Sequence, residues 1–363
     1  MVLRLMLFIY KNQSCSVKWS NERSSWFRVS NGVRQGAVSS AILFAVYIDN
    51  LLLLLKNSRI GCHIHGIFLG AFIFADDILL LSASRAGLQS IINTCQKFAS
   101  NKNLKFGTDP NPTKSKTKCI VFSKKPKDMS KLAPVVLDGR NLPWVRKVNH
   151  LGSILESDCS MKSDIVSKKG QFVGRMNSLL QEFHFLDSST MIKLVTSYAL
   201  TFYGSSLWNL QSKECEKLYN SWNVAIRNIL HLDRKTHRYL IEPLSGLFHL
   251  KTLLMARYVR FFKSLINSPK FEVRFLARLF QNDKRTVLGK TLQFLIRSCK
   301  LKDSEDLSPQ LVKRSLEFAA TPEGYQWTAP LARELLELRN SELEVDGFAA
   351  EELEEMLTFS CTI

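Results

Sequence analysis

The sequence predicts an α+β fold, in which short antiparallel strands and helices come first and a long helical region follows. Apolar runs of four to eight residues flank polar turns in the first half of the chain, which is typical of hairpin strands. Amphipathic segments of helix length lie between those runs, as in folds where helices pack on an antiparallel sheet. Beyond residue 160 the apolar residues recur at helical spacing, which predicts helices.

Length and charge limit the class of protein. The 363 residues are enough for two or three domains, and 45% apolar content is ordinary for a globular protein. The net charge of +18 points to a polyanionic partner, nucleic acid first, although a solvated basic surface is an equal alternative on charge alone. From Pro330 onward the charge is −7, which leaves +25 on residues 1–329. We interpret this acidic part as a solvated helical tail, with docking on the basic body or on a partner as the alternative.

Cysteine spacing and the apolar runs indicate where the protein works. The eight cysteines include no Cys-x-x-Cys pair, so we expect no zinc site and reduced thiols, in the cytoplasm and nucleus. Met1–Tyr10 lacks the features of a signal peptide. Ala41–Leu55 contains Asp49 and falls short of the roughly 20 residues of a membrane span. We therefore expect a soluble chain without membrane contact.

The first elements lead to a glycine turn and a long apolar helix. Met1–Lys11 predicts a helix, and Cys15–Trp19 with Trp26–Val29 predicts a hairpin. Arg34-Gln35-Gly36 then forms a turn in which glycine permits close approach of the backbone. The following helix extends through Leu55, is apolar nearly all round, and is therefore expected to be buried. Its predicted caps are Ser39 or Ser40.

Phe74-Ala75-Asp76-Asp77 is the motif around which the chain is organised. It lies between the apolar runs Ile67–Phe74 and Ile78–Leu81, so we expect a tight hairpin turn. Adjacent side chains point apart on a straight strand but can share one site at a bend. Paired carboxylates there suit Mg²⁺, whereas a hairpin tip without any metal is the commoner alternative for an isolated Asp-Asp pair.

The elements after this hairpin alternate between helix and strand. Ser84 is a predicted cap for an amphipathic helix, and Lys118–Phe122 is predicted to return as a strand. Val135–Leu137 and Trp144–Val148 predict a second hairpin around an Asp-Gly turn. Three apolar stripes at helical spacing follow, and we expect their aromatic residues to be core: Ile192, Val195, Ala199 and Phe202; Leu218, Trp222, Ala225, Ile226 and Ile229; Leu254, Tyr258, Phe261 and Leu265.

Several motifs in a fixed order resemble one family. They are Arg34-Gln35-Gly36, Tyr47-Ile48-Asp49-Asn50-Leu51, Phe74-Ala75-Asp76-Asp77, Asn111-Pro112-Thr113-Lys114-Ser115, His150-Leu151-Gly152, Tyr203-Gly204-Ser205-Ser206-Leu207-Trp208 and Thr236-His237-Arg238. This combination, over roughly residues 1–265, resembles the reverse transcriptases of non-LTR (LINE-type, jockey-like) retrotransposons. Ala41 departs from the proline that these proteins usually carry there.

The resemblance implies a partial polymerase palm, an antiparallel sheet with packed helices, followed by an all-α thumb and C-terminal helices. The implied divisions are residues 1–125 for the palm, 126–160 for a primer-grip hairpin region, 161–268 for the thumb and 269–363 for a helical extension with the acidic tail. The implied function is RNA-directed DNA polymerisation onto a primer 3′-hydroxyl, with an RNA template, a DNA primer, dNTPs and Mg²⁺, or Mn²⁺ in its place.

The same resemblance implies roles for individual residues. Lys114 lies in a motif beside the pyrophosphate leaving group, although plain surface charge is an alternative because Lys116 and Lys118 are close by. The other implied sites are Asp76 and Asp77 for catalysis and metal binding, Arg34, Gln35 and Gly36 for the nucleotide, and Leu151 and Gly152 for the primer grip.

One departure limits the implied activity. The family holds its metals with a further carboxylate on an earlier strand, but the first Asp of this chain is Asp49, in the helix motif. We therefore expect the 363 residues to be inactive alone, without the first catalytic Asp motif and the fingers. We also expect exposed apolar surface where those parts would pack. The alternative is a remnant that binds nucleic acid without polymerising.

Overall fold

The computed structural model describes residues 2–29, 32–34, 36–109, 111, 114–123, 128–302 and 307–313. Two compact units divide the chain. Unit 1 comprises Met1–Cys119 and Asp128–Val145, and unit 2 comprises Ile120–Lys127 and Arg146–Ile363. The fold is a mixture of helices and small antiparallel sheets, as an α+β protein requires. The predicted division of the chain into four segments stays a prediction.

Unit 1 begins with a helix and a nested hairpin. Helix α1 is Val2–Lys11. Strand β1 (Ser14–Cys15) pairs with β4 (Phe27–Arg28), and β2 (Lys18–Trp19) pairs inside them with β3 (Glu22–Arg23). The turn at Ser20, whose φ is 52°, closes the predicted hairpin. The apolar face of α1 is largely exposed, with Phe8 at 65%.

Helix α2, Val38–Asn57, corrects two predictions. Its N-cap is Ala37 and no side chain caps it, because the Ser40 hydroxyl instead donates to the Arg34 carbonyl oxygen at 2.6 Å. Nor is it buried all round: Leu51 is fully buried, whereas Ile42 is 66% exposed. By length and composition alone the 20 residues of α2 are long enough to cross a membrane, a test that a soluble core helix also passes. Length therefore does not exclude a span, and the absence of membrane contact stays a prediction.

Four short strands follow, in two ladders. Strand β5 (His63–Ile64) pairs with β6 (Ile67–Phe68), and β7 (Ala71–Phe74) pairs with β8 (Asp77–Leu80). A backbone hydrogen bond joins the two ladders, in which the Cys62 amide donates to the Leu81 carbonyl oxygen at 3.0 Å. The described strands thus form two-stranded sheets rather than the one larger sheet that was predicted.

Helix α3, Arg85–Asn101, matches its prediction. The Ser84 hydroxyl accepts from the Gly87 amide at 3.1 Å and satisfies one free N–H of the first turn. The apolar face of α3 packs into two small cores of unit 1. Their buried members are Ile48, Leu51, Leu55, Ala71, Ile91, Cys95 and Phe98 in one, and Ile92, Cys119, Val135, Leu137 and Leu142 in the other.

The second hairpin has a different partner strand from the predicted one. Strand β9 (Val135–Leu137) pairs with β10 (Arg140–Leu142) across the Asp138-Gly139 turn, not with Trp144–Val148. No strand forms at Lys118–Phe122 among the described residues; there is a single bridge, from Cys119 to Trp144. The prediction was wrong there because only Cys119 of that run exchanges backbone hydrogen bonds, with Pro143 and Val145.

Unit 2 consists of one hairpin and a helical bundle. Strand β11 (Lys147–His150) pairs with β12 (Ser153–Glu156). The described helices are α4 (Lys162–Glu182), α5 (Ser188–Leu194), α6 (Lys213–Ile229), α7 (Ile241–Ser245), α8 (Leu250–Ile266), α9 (Phe271–Phe280) and α10 (Val287–Ser298). A π-helical turn, Val195–Ala199, extends α5. The acidic tail from Pro330 onward lies outside the described residues.

The core of unit 2 contains the largest buried aromatic side chains, and of these Trp222 and Tyr258 belong to the predicted stripes. Trp208, Trp222 and Tyr258 are almost fully buried, although in α8 Phe262 rather than Phe261 faces inward. Asp164 on α4 is buried and accepts from Trp208 Nε1 at 2.7 Å and from the Ile154 amide at 3.0 Å. This carboxylate therefore ties β12, α4 and the segment after the π turn together.

Candidate functional site

The Asp-Asp motif forms the exposed tip of the β7–β8 hairpin. Ala75 has a φ of 49°, in the left-handed region that tight turns use, and Phe74 pairs with Asp77. Asp76 lies in the turn and Asp77 opens β8, and both are exposed. Phe74, beside them, is 67% exposed. The predicted turn is confirmed, and the two carboxylates are open to a ligand at one bend.

The residues of the Arg-Gln-Gly turn lie before α2. Gly36 has a φ of +81° and no atom within 4 Å of the position of a Cβ, so the backbone is approachable there. Arg34 is exposed and its carbonyl oxygen accepts from Ser40. Gln35 lies outside the described residues.

Tyr10 joins this turn although the sequence gave no reason to single it out. Its hydroxyl lies 3.5 Å from Ser40 Oγ. Hydrogen bonds with Ser40 and Ser39, with the positive charge of Arg34, hold the pKa of Tyr10 below its ordinary value. The phenol of Tyr10, in α1, and the guanidinium of Arg34 therefore lie near this turn. Both groups can donate hydrogen bonds to an anionic ligand.

Lys114 is exposed in a loop of unit 1. Its amide donates to the Asn111 carbonyl oxygen at 3.0 Å, which forms the turn that begins the motif. Two neighbouring loop residues, Pro112 and Thr113, lie outside the described residues. The Lys114 ammonium group therefore belongs to a solvent-facing basic loop, which suits either of its two interpretations.

The Leu151-Gly152 turn closes the β11–β12 hairpin of unit 2. Both residues have positive φ, 45° and 75°, which is the geometry of a two-residue hairpin turn matched to strand twist. Leu151 is 38% exposed. Lys168 of α4 donates to the Gly152 carbonyl oxygen at 2.9 Å. A side chain at residue 152 would approach the Tyr203 ring to 3.3 Å, so this turn is held close against the Tyr203-Gly204 segment.

Two arginines of unit 2 donate hydrogen bonds to backbone carbonyl oxygens. Arg227 donates twice to the Thr236 carbonyl oxygen, at 3.0 and 2.7 Å, and fixes the loop before Arg238. Arg257 donates to the Leu200 and Phe202 carbonyl oxygens. Both guanidinium groups thus hold backbone segments of unit 2 in place.

The predicted site residues are divided between the two units. Asp76, Asp77, Arg34 and Lys114 are all in unit 1, and Leu151 and Gly152 are in unit 2. Across the described ranges, no ion pair includes any of those four unit 1 residues. The same ranges contain no group of three or more His, Cys, Asp or Glu side chains that could hold a metal ion.

Comparison with known proteins gives consistent matches. Residues 3–155 match the sequence model of the family described as reverse transcriptase (RNA-dependent DNA polymerase). A retrovirus-related Pol polyprotein from type-1 retrotransposable element R2 of Nasonia vitripennis is 30% identical over 122 residues, which is 34% of this chain and 11% of that protein. The Pol polyprotein from type-2 retrotransposable element R2DM of Drosophila melanogaster is 37% identical over 91 residues, which is 25% of this chain and 8% of that protein.

These matches agree with the motif order and with the two confirmed hairpin turns. The chain spans about a tenth of the length of each curated relative. Because both relatives are R2 elements, the finer jockey-like placement stays a prediction. Reverse transcriptases generally use divalent metal ions, nucleic-acid templates and primers, and nucleotide substrates. Residues 3–155 match the reverse transcriptase family, and the two relatives support a reverse transcriptase sequence of the non-LTR retrotransposon type in this part of the chain.

Proposed function

We propose that this chain provides part of an RNA-directed DNA polymerase of a non-LTR retrotransposon. The observation that carries the proposal is the exposed Asp76-Asp77 bend in the segment that matches the family. In this proposal residues 1–125 are palm, 126–160 contain the primer grip, 161–268 are thumb and 269–363 are a C-terminal extension. The substrates are an RNA template, a DNA primer and dNTPs, inside the cell.

The unit 1 residues have separate roles in this proposal. Arg34 and the accessible backbone at Gly36 bind the incoming nucleotide, with Gln35 between them. Lys114 balances the charge of the pyrophosphate leaving group or donates a proton to it. The support for these roles is that each residue belongs to a family motif, and that Arg34, Gly36 and Lys114 are exposed.

The two carboxylates fit a divalent cation only in part. Asp76 and Asp77 offer the hard oxygen donors that Mg²⁺ prefers, and Mn²⁺ accepts the same donors. Two-metal nucleotidyl transfer needs more protein donors than one adjacent pair supplies. The described residues offer no third His, Cys, Asp or Glu beside the pair. The pair alone therefore does not supply the donors of a two-metal site. We propose that the 363 residues alone do not polymerise.

Primer extension tests this proposal. The wild-type chain and Asp76→Asn are compared on an RNA template annealed to a DNA primer, with Mg²⁺ and with Mn²⁺. We expect no extension by the wild type beyond that of the variant. We also expect template–primer binding that weakens steeply with salt, since the body of the chain is strongly basic. Extension that Asp76→Asn abolishes would refute the inactivity, and absence of binding would refute the nucleic-acid function.

A remnant that binds nucleic acid without any nucleotide site is the second candidate. The lack of a third ligand side chain beside Asp76 and Asp77 in the described residues favours it. The two candidates differ in their response to dNTPs. If the polymerase site is retained, a complementary dNTP with Mn²⁺ stabilises the wild-type template–primer complex but not that of Asp76→Asn. If the chain is a remnant, the wild type and Asp76→Asn form template–primer complexes of equal stability, with or without the dNTP.

A further inference from the structure

Two tyrosines of unit 2 are exposed, unlike the large aromatic residues of its core. Tyr203 is 63% exposed and Tyr198 is 54% exposed, whereas Trp208, Trp222 and Tyr258 are almost fully buried. Exposed tyrosine rings are large, flat surfaces with little side-chain freedom to lose, and they are therefore frequent in binding surfaces.

Each of these tyrosines has a cation from α4 over its ring. Lys168 Nζ is 5.9 Å from the centroid of Tyr203, and the guanidinium carbon of Arg175 is 5.8 Å from the centroid of Tyr198. Both distances are within the range of cation–π attraction. Because more than half of each tyrosine stays exposed, the cation leaves part of the ring surface available to a ligand.

The two pairs follow one face of α4. Lys168 and Arg175 are seven residues apart, close to two helical turns, so they share a face at a separation of about 10 Å. A helical nucleic-acid strand advances by about 3.4 Å per nucleotide, so this separation matches roughly three nucleotides. We call Lys168, Arg175, Tyr198 and Tyr203 the tyrosine strip.

The backbone that carries the tyrosines is braced. Arg257 of α8 donates to the Phe202 carbonyl oxygen at 3.3 Å and to the Leu200 carbonyl oxygen at 3.2 Å. Arg175 also donates to Thr201 Oγ1. A side chain at Gly204 would meet Ser153 Oγ at 2.6 Å, which shows how closely this segment adjoins the hairpin turn. A surface held in place before its ligand arrives loses less entropy on binding.

We propose that the tyrosine strip binds unpaired nucleotides, with bases stacked on Tyr203 and Tyr198 and phosphates beside Lys168 and Arg175. Base stacking on aromatic rings tolerates any sequence, and cations beside the rings follow the backbone. A paired strand hides its base faces from these rings, so the strip distinguishes single-stranded from duplex nucleic acid. This inference rests on nucleic acid being the partner in the proposed function, and it specifies the form that unit 2 recognises.

Fluorescence anisotropy on the full chain tests the inference. The probes are a labelled oligothymidylate of about twelve nucleotides and a labelled duplex of equal length, at one fixed salt concentration. Tyr203→Ala should weaken binding of the single strand about tenfold, and Tyr198→Ala by a similar factor, with duplex affinity unchanged. Tyr203→Phe retains the ring and should bind as the wild type does.

Two controls separate stacking from other effects. Phe185→Ala removes another exposed aromatic residue of unit 2, at 71%, outside the tyrosine strip, and should change neither affinity. An abasic oligonucleotide should bind wild type and Tyr203→Ala equally, because it has no bases to stack. A thermal unfolding midpoint equal to that of the wild type shows, for each variant, that the fold is intact.

The outcomes are distinct from those of the proposed function. Equal losses on single strand and duplex in Tyr203→Ala would overturn stacking, as would unchanged affinity for both probes. If the wild type binds the template–primer duplex and Tyr203→Ala gives either of these results, the inference is refuted and the proposed function is not. Failure to bind any nucleic acid would refute the proposed function as well.

Discussion

The two units differ in how much apolar surface they bury. Unit 2 contains one extensive core that encloses Trp208, Trp222, Tyr219 and Tyr258. The two cores of unit 1 contain seven and five buried residues, while Ile42, Val46 and other apolar side chains of that unit face outward. Burial of apolar area is the main source of stability, so unit 2 has the stronger basis for independent folding. The residues proposed for the chemistry are thus in the unit with less buried surface.

Removing a central tryptophan of unit 2 should have the largest effect. Trp208 is fully buried and donates to Asp164, so Trp208→Ala leaves a cavity and an unpaired carboxylate oxygen. We expect a loss of about 3–5 kcal/mol in the free energy of unfolding, measured by urea titration. Trp19→Ala in unit 1 is the matched control, because Trp19 is 80% exposed and should cost under about 0.5 kcal/mol. Similar losses in both variants would contradict the contrast between the units.

A pH dependence of unit 2 should have an intermediate effect. His249 caps α8 by accepting from the Lys251 amide at 3.2 Å. Burial, and then the charges of Lys251 and Arg238, lower the pKa of His249 to about 4. A lowered histidine pKa gives stability that is present above the unfolded value near 6.5 and is lost as the pH falls toward 4. Between about pH 7 and pH 5 we expect a loss of about 1–2 kcal/mol.

His249→Asn is the control for this pH dependence. Asparagine caps helices and does not titrate, so the variant should keep the helix and lose that part of the pH dependence. Unfolding titrations of wild type and variant at the two pH values measure the difference. If both proteins lose the same free energy between the two values, His249 is not the group responsible.

Exposed apolar residues of unit 1 should give the smallest change in stability. Ile42 and Val46 on α2 are 66% and 69% exposed, so their replacement by lysine should alter the free energy of unfolding by less than about 0.5 kcal/mol. The same change should reduce self-association, measured by size-exclusion chromatography with light scattering, because it breaks an apolar patch. Leu51→Lys is the opposite control, since Leu51 is fully buried and should unfold unit 1. Destabilisation by Ile42→Lys as large as that by Leu51→Lys would show that this face is covered in solution.

The sequence predicted local structure well at two hairpin turns and at one helix cap, although the predicted serine cap of α2 was wrong. The hairpins at Ala75-Asp76 and Asp138-Gly139 and the Ser84 cap depend on conformations or hydrogen bonds of adjacent residues. The burial of α2 was mispredicted because composition shows that a helix is apolar but not which of its faces meets a neighbour. The strand at Lys118–Phe122 failed for a related reason, since strand formation depends on a partner elsewhere in the chain.

The candidate site was predictable in its motifs but not in its surroundings. Asp76, Asp77, Leu151 and Gly152 were found from short motifs, and the turns that hold them were confirmed. The contact of Asp164 with Trp208 joins residues 44 positions apart, and no spacing rule connects them. Tyr198 lies between Val195 and Ala199, two members of one apolar stripe, but is not itself in the stripe. Its position off the stripe is the sequence feature that indicates an outward-facing side chain.

The π-helical turn at Val195–Ala199 bears on how the length of this segment can vary. The Leu200 amide donates to the Val195 carbonyl oxygen, five residues back, at 3.2 Å. One turn there holds an additional residue, and such turns are frequent at functional positions. Deleting a single residue there would leave an ordinary helical turn, and because the wide turn had absorbed the additional residue, the rotational phase of the residues after it would be kept. A one-codon deletion within Val195–Ala199 would therefore leave Tyr203 and Gly204 beside the hairpin, whereas the same deletion within α4 would rotate the helical residues after it by about 100°.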